Sequence, residues 1–258
     1  MYSGCYRLRF KLKLMRVIAI GRVLRSAALL VCILAELGFA ANAQTAPLDE
    51  QAIIRGIDAA VKARLDGTLS YTVTEHYQVY RGGDETHPAA EMTVKTTYEK
   101  ESGKEYAILS RSGSDAIQKF VLNSILENEK HINEPGVREG SWMTSDNYLM
   151  KLKAANPQKV DGRDCYALSV TPKHSGPGLI EGTVWVDAGD QSITKVEGTT
   201  AKSVSIFTGA TQVMRQYAKF SGFSEAINAR ATTSSFLFGQ TVITIDYSGY
   251  ELNIRATK

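Results

Sequence analysis

Over residues 48–66, LDEQAIIRGIDAAVKARLD, apolar side chains recur at three- and four-residue steps: Ile53, Ile54, Ile57, Val61 and Leu65. That spacing places them on one face of an amphipathic helix. Asp49 and Glu50 stand at its start, where the positive end of the helix dipole favours acids, and Gly67 follows as a stop. The period then drops to two. In SYTVTEHYQVYR, Tyr71, Val73, Tyr77 and Val79 share one face, and Thr72, Thr74, His76 and Gln78 share the other. Gly82-Gly83-Asp84 can turn the chain. AAEMTVKTTYEK repeats the alternation with Met92, Val94 and Tyr98 on one face, and GKEYAILSR makes a third strand.

A second helical segment interrupts this meander. In SDAIQKFVLNSILENEKHI, Ile117, Phe120, Val121, Ile125 and Leu126 fall on one side, with Ser114 and Asp115 as candidate N-caps and Pro135-Gly136 as the end. From about residue 146 onward, seven short segments rich in Val, Ile, Thr and aromatics follow one another: NYLMKLKA, RDCYALSVTPK, IEGTVWVDA, SITKVEGTT, TQVMRQYAKF, ATTSSFLF and QTVITIDYSGYEL. About ten antiparallel strands are too many for a flat one-sided sheet, so they should curl. The expected fold is mainly β (α+β): a half-open antiparallel barrel, with the N-terminal amphipathic helix and the second helix on its concave face.

The ends and the charge refine this picture. Seven Lys/Arg and no acid occupy residues 1–25; SAALLVCILAELGFA follows, then Ala41-Asn42-Ala43. A basic flank, a short apolar run and an A-x-A site read as a secretory signal peptide over 1–43, with Met15 a possible true start. Glu36 breaks the apolar run, which is short for a membrane span, and no later segment is long and apolar enough for one. Residues 44–258 are expected to form one exported domain, periplasmic and monomeric. The whole chain carries 30 basic and 27 acidic residues; without the leader the balance is 23 to 26. A mildly acidic chain without a basic run is a poor nucleic-acid or anionic-lipid binder. It retains one cysteine, Cys165, in an apparent strand, which excludes a disulfide framework.

Candidate chemistry is sparse. In GTVWVDAGDQSITKVEG, Gly182 to Gly198, Asp187 and Asp190 lie three apart with no third acid in calcium-loop register, so the stretch reads as a hairpin turn. His76, His87, His131 and His174 show no metal-ligand spacing, and no HExxH, CxxC, GxSxG, P-loop or GxGxxG occurs. Glu127 and Glu129 are two apart on a helix and point to different sides. No catalytic residue, cofactor or metal is assigned. One residue is out of place: Glu75 falls on the apolar face of the first strand. Either the strand bulges there, or Glu75 has a cationic or hydroxyl partner inside the barrel.

The order of elements resembles the LolA-like periplasmic outer-membrane lipoprotein-sorting carriers. SYTVTEHYQVYR after the first helix, GRDCYALSVTPK, IEGTVWVDAGDQSITKVEG, VMRQYAKFSGF and the closing TVITIDYSGYEL carry the resemblance. It implies an apolar cavity that receives lipid or lipoprotein acyl chains, no catalysis, and contact with envelope lipoprotein-transport proteins. Candidate cavity residues are Ile53, Ile57 and Val61 on the helix and Tyr71, Val73, Glu75, Tyr77, Met92 and Val94 on the strands. The alternative use of the scaffold is an envelope-stress sensor or assembly protein that meets another protein.

Overall fold

The computed structural model describes residues 49–201, 211–235 and 239–255. The leader expectation, residues 1–43, lies outside them. Helix α1 (Glu50–Gly67) begins as its sequence demands: the Asp49 carboxylate accepts the Gln51 N–H at 3.0 Å, an N-cap that satisfies a helix-end donor. It buries Ile53, Ile54 and Ile57, the stripe read from the spacing.

Three strands follow, β1 (Thr68–Arg81), β2 (Ala90–Glu99) and β3 (Gly103–Gly113). A continuous helical segment comes next: α2 (Asp115–Ile117), a π-helical stretch (Gln118–Leu122) and α3 (Asn123–Ile132). After a short 3-10 turn (Arg138–Ser141) come β4 (Tyr148–Leu152), β5 (Gln158–Val160), β6 (Arg163–Pro172), β7 (Ile180–Asp187), β8 (Ile193–Thr200), β9 (Gln212–Phe220), β10 (Phe223–Ser235) and β11 (Gly239–Ile254).

Among the described residues, eleven strands belong to one antiparallel sheet in the order β3-β2-β1-β11-β10-β9-β8-β7-β6-β4, with β5 on β6. The path does not close: β3 and β4 end it. The earliest strand pairs with the last, so β1 lies in mid-sheet between β2 and β11. Irregular register at Thr72/Thr74, Thr93/Val94, Trp185/Val186 and Ala226/Asn228 supplies the bends that curl it. Gly182 and Gly198 face each other across β7 and β8. A Cβ on Gly182 would lie 2.1 Å from the Glu197 carbonyl oxygen, so the backbones approach more closely there than any side chain permits.

Among the described residues, apolar clusters pack on β1 and β2. Tyr77, Val79, Ala90, Met92 and Val94 meet Ile117, Leu122 and Leu126 of the helical segment. Tyr71, Val73 and Tyr98 pack with Tyr247, Tyr250 and Leu252. The expected helical face needs a correction. The α-helical period puts Phe120 on it, yet Phe120 is 69% exposed, and Leu122 is fully buried in its stead. The π-helical stretch is the reason: its wider turn brings Leu122 inward five residues after Ile117, and Leu126 follows at the ordinary four-residue step. Gln118 accompanies the distortion. Its buried side-chain amide donates to the carbonyls of Glu91 and Ser112, both at 2.7 Å, fixing the stretch to β2 and β3.

Candidate functional site

The cavity candidates on β1 and β2 share one buried face of the sheet, but they do not form one patch. Tyr77, Met92 and Val94 belong to the cluster under α2 and α3, and Tyr71 and Val73 to the tyrosine-rich one. Ile53 and Ile57 are buried on α1, and Val61 beside them is half-buried. Glu75 lies between the two groups on β1.

Glu75 is 2% exposed and in regular register, opposite Val94 on one side and Tyr247 on the other. The irregularity in β1 falls earlier, between Thr72 and Thr74, so no bulge turns Glu75 outward. Of the two readings of the sequence, the hydroxyl partner is the one found: the Tyr77 hydroxyl donates to Glu75 Oε2. Burial, and then the neighbouring Glu75, push the Tyr77 hydroxyl far above its usual range, which keeps it a donor. Glu75 Oε1 has no hydrogen-bond partner, nor do the buried hydroxyls of Thr96 and Tyr106.

A charged bridge crosses the same interior. The Glu129 carboxylate, on α3, takes Lys104 of β3 at 3.2 Å on one oxygen and Arg215 of β9 at 3.8 Å on the other. Those strands are five places apart in the sheet, or roughly 24 Å were it flat. Their side chains meet because the sheet is curled, so Glu129 joins two facing walls. Burial would raise the Glu129 carboxyl, but Lys104 and Arg215 overcome it and hold it below the usual carboxylate range. Burial likewise opposes the Lys104 ammonium, whereas Tyr71, Glu129, Tyr106 and Glu75 around it keep its proton on.

A carboxylate lowered in the fold contributes stability that is present above its ordinary value of 4.5 and is lost as pH falls below it. Acidification should therefore weaken this bridge. Other carboxylates titrate in the same window, so the measurement is a difference. Comparing unfolding at pH 6 and pH 3.5, Glu129→Gln should lose less stability on acidification than wild type. Equal losses would show that the bridge contributes nothing.

Polar contacts at three points tie α1 to the sheet and its loops. Glu50 accepts the Leu152 N–H of β4 at 2.8 Å, and Asp58 takes the Ser145 N–H and hydroxyl at 2.7 and 2.6 Å. Near its C-terminus, Arg64 forms a two-pronged pair with Glu225 of β10, at 3.0 and 2.6 Å. Each of the six residues on α1's buried stripe or its polar ties therefore has a fixed place, and the helix spans from the β4 end of the sheet to β10.

The other candidates resolve as local structure. In the β7–β8 hairpin, Asp187 accepts the Gly189 N–H, Asp190 accepts the Ser192 N–H and hydroxyl, and Lys219 pairs with Asp190. Both aspartates thus serve as turn acceptors, while Lys195 lies 4.9 Å from the Trp185 ring centre. His76 contacts Thr93 and Glu91, His87 contacts Asp84, His131 contacts Glu134 and His174 contacts Asn147. Among the described residues, no group of three or more His, Cys, Asp or Glu could hold a metal ion. Cys165 is buried against Thr194, and burial raises its thiol.

In fold, this chain is similar to LolA superfamily structures. A LolA superfamily protein from Nitrosomonas europaea is 12% identical with a TM-score of 0.44, over 79% of this chain and 93% of that one. A domain assigned to outer membrane lipoprotein sorting from Vibrio parahaemolyticus is 14% identical with a TM-score of 0.45, over 76% and 91%. A DUF1329 family protein from Desulfovibrio piger is 15% identical with a TM-score of 0.41, over 82% and 95%. No protein-family model and no curated protein matches the chain.

Sequence reasoning passed over Arg64, Lys104, Arg215 and Glu225, and weighed Glu129 only as half of a carboxylate pair with Glu127. For two of them the signal was present. Arg64 continues the α1 stripe three residues after Val61, and Glu129 continues the α3 stripe after Ile125 and Leu126. A charge in phase with an apolar stripe calls for a buried partner, the same argument that singled out Glu75.

Proposed function

We propose that this protein is a non-catalytic, periplasmic carrier or binder of lipid-like ligands or lipoprotein acyl chains, held between α1 and the concave face of the sheet. The observation that carries the reading is the way α1 is attached. Its isoleucine face is fully inside, yet polar ties to β4, the Ser145 loop and β10 hold its flanks. The ties of Glu50 and Asp58 exchange with water at little net cost, whereas the apolar face needs an apolar partner at all times. A ligand chain of similar character can supply that partner when the helix shifts. The open path of the sheet, ending at β3 and β4, lets the walls adjust without breaking a closed ladder. No helix among the described residues is long and apolar enough to cross a membrane.

The test is native mass spectrometry of residues 44–258 taken from a periplasmic extract without detergent. Added mass matching a phospholipid or an acylated peptide is the expected result. Bare protein that also takes up no added lipid would overturn it. A second reading, an envelope sensor or assembly protein, has one observation in its favour: Ile108 and Leu109 on the edge strand β3 and Phe120 on the π-helical stretch are exposed. It predicts bare protein that co-elutes with an envelope protein on size exclusion.

A further inference from the structure

The interior beside Glu75 contains more hydrogen-bonding capacity than the chain uses. Glu75 Oε1 is an acceptor without a donor on a side chain that is 98% enclosed, since its exposure is 2%. The cross-strand register brings two further unpartnered oxygens near it. Thr96 stands two residues along β2 from Val94, the direct neighbour of Glu75, and Tyr106 of β3 is opposite Thr96. Residues directly opposite in an antiparallel pair share a face, and diagonal neighbours are within side-chain reach. Three unpartnered oxygens, Glu75 Oε1, Thr96 Oγ1 and Tyr106 Oη, therefore lie on one patch of one face. Leaving such groups buried and unpaired costs about 1–3 kcal/mol each. Gathered on one patch, they give a donor from outside the chain three oxygens to meet.

The surroundings select the chemistry. Tyr71 and Tyr98 stack with ring centres 5.0 Å apart, and Tyr247 is directly across from Glu75. A carboxyl oxygen among aromatic rings suits a cation, because the rings present negative faces. The wider cluster is formally neutral: Glu75 and Glu129 stand with Lys104 and Arg215. Adding a lone cation would unbalance it, and so would adding a lone anion. A zwitterion would not. Its ammonium can donate to Glu75 Oε1 and the two hydroxyls, while its phosphate can compete with Glu129 for Lys104 and Arg215. That exchange would also release Glu129 from both walls and free α3 to move.

We infer that Glu75, Thr96 and Tyr106 form the headgroup site for a zwitterionic aminophospholipid, whose primary ammonium hydrogen-bonds to Glu75 Oε1. The inference rests on the carrier reading and names its ligand class. It requires N–H donors, which separates an ethanolamine headgroup from the choline one of equal charge.

The experiment exposes delipidated protein to vesicles of phosphatidylethanolamine, phosphatidylcholine or phosphatidylglycerol, and measures lipid taken up by native mass spectrometry. Wild type should take up the ethanolamine lipid at least tenfold more than either of the others. Glu75→Gln should reduce ethanolamine uptake to the level of the other two. Tyr106→Phe keeps the ring and removes only the orphan hydroxyl; it should reduce the preference severalfold, and it decides the matter if Glu75→Gln fails to fold. Equal uptake of all three lipids by wild type, or an undiminished preference in the variants, overturns the headgroup site and leaves the carrier reading standing. No uptake of any lipid by wild type overturns both.

Discussion

Arg64→Ala lowers the stability of the fold by about 3 kcal/mol, measured by urea unfolding. Glu225 is 2% exposed, and the two-pronged pair with Arg64 is the salt bridge it makes. Removing the guanidinium leaves a carboxylate buried without a partner, the costly way to break an ion pair. The Arg64 side chain itself retains about a third of its exposure, so water enters the gap and the effect falls at the lower end of the range for buried pairs. The double variant Arg64→Ala/Glu225→Ala should be less damaged than the two single losses added together, because it leaves no orphan charge. A loss under about 1 kcal/mol in the single variant would place this pair with ordinary surface bridges. The position matters because Arg64 ties the C-terminal end of α1 to β10, while Asp58 and Glu50 tie the rest to the opposite end of the sheet. Losing it loosens one end of the cover only.

Much of this architecture is legible from periodicity. Tyr71, Val73, Tyr77 and Val79 alternate with polar residues and are buried, and Ile53, Ile54 and Ile57 mark the inner face of α1. Local rules suffice there, because a strand or helix with one apolar face has one way to lie on a core. They fail at the π-helical stretch. The exchange of Phe120 for Leu122 depends on Gln118 reaching two carbonyls of β2 and β3, and the side-chain pattern does not encode that tertiary bond. They fail again at the pairing of β1 with β11, which joins residues as distant as Thr68 and Ile254. The candidate site is legible to the same extent. Glu75 announces itself as an acid on an apolar face. Lys104 and Arg215 do not, because they reach one carboxylate only once the sheet has curled and brought β3 and β9 toward each other.

Ile57→Asp should abolish lipid uptake while the far-UV signature of the β-sheet persists. Ile57 is fully buried, and a carboxylate in its place costs several kcal/mol unless it finds a partner. Two ways of avoiding that cost compete: global unfolding, or release of α1 alone. The packing favours release. Neither the cluster built on Tyr77 and Met92 nor the one built on Tyr71 and Tyr98 draws a residue from α1, so the part of the core on β1 and β2 does not depend on the helix. The measurement then separates two roles for the helix. If α1 supplies part of the surface that grips an acyl chain, its release removes the grip and uptake disappears. If α1 only covers the site, release uncovers it and uptake rises above wild type. Ile57→Val controls for packing alone: it keeps the face apolar, costs about 1 kcal/mol, and should bind lipid as wild type does. Unchanged uptake in Ile57→Asp, with the sheet intact, would remove α1 from the binding surface and leave the Glu75 side of the interior as the place to look.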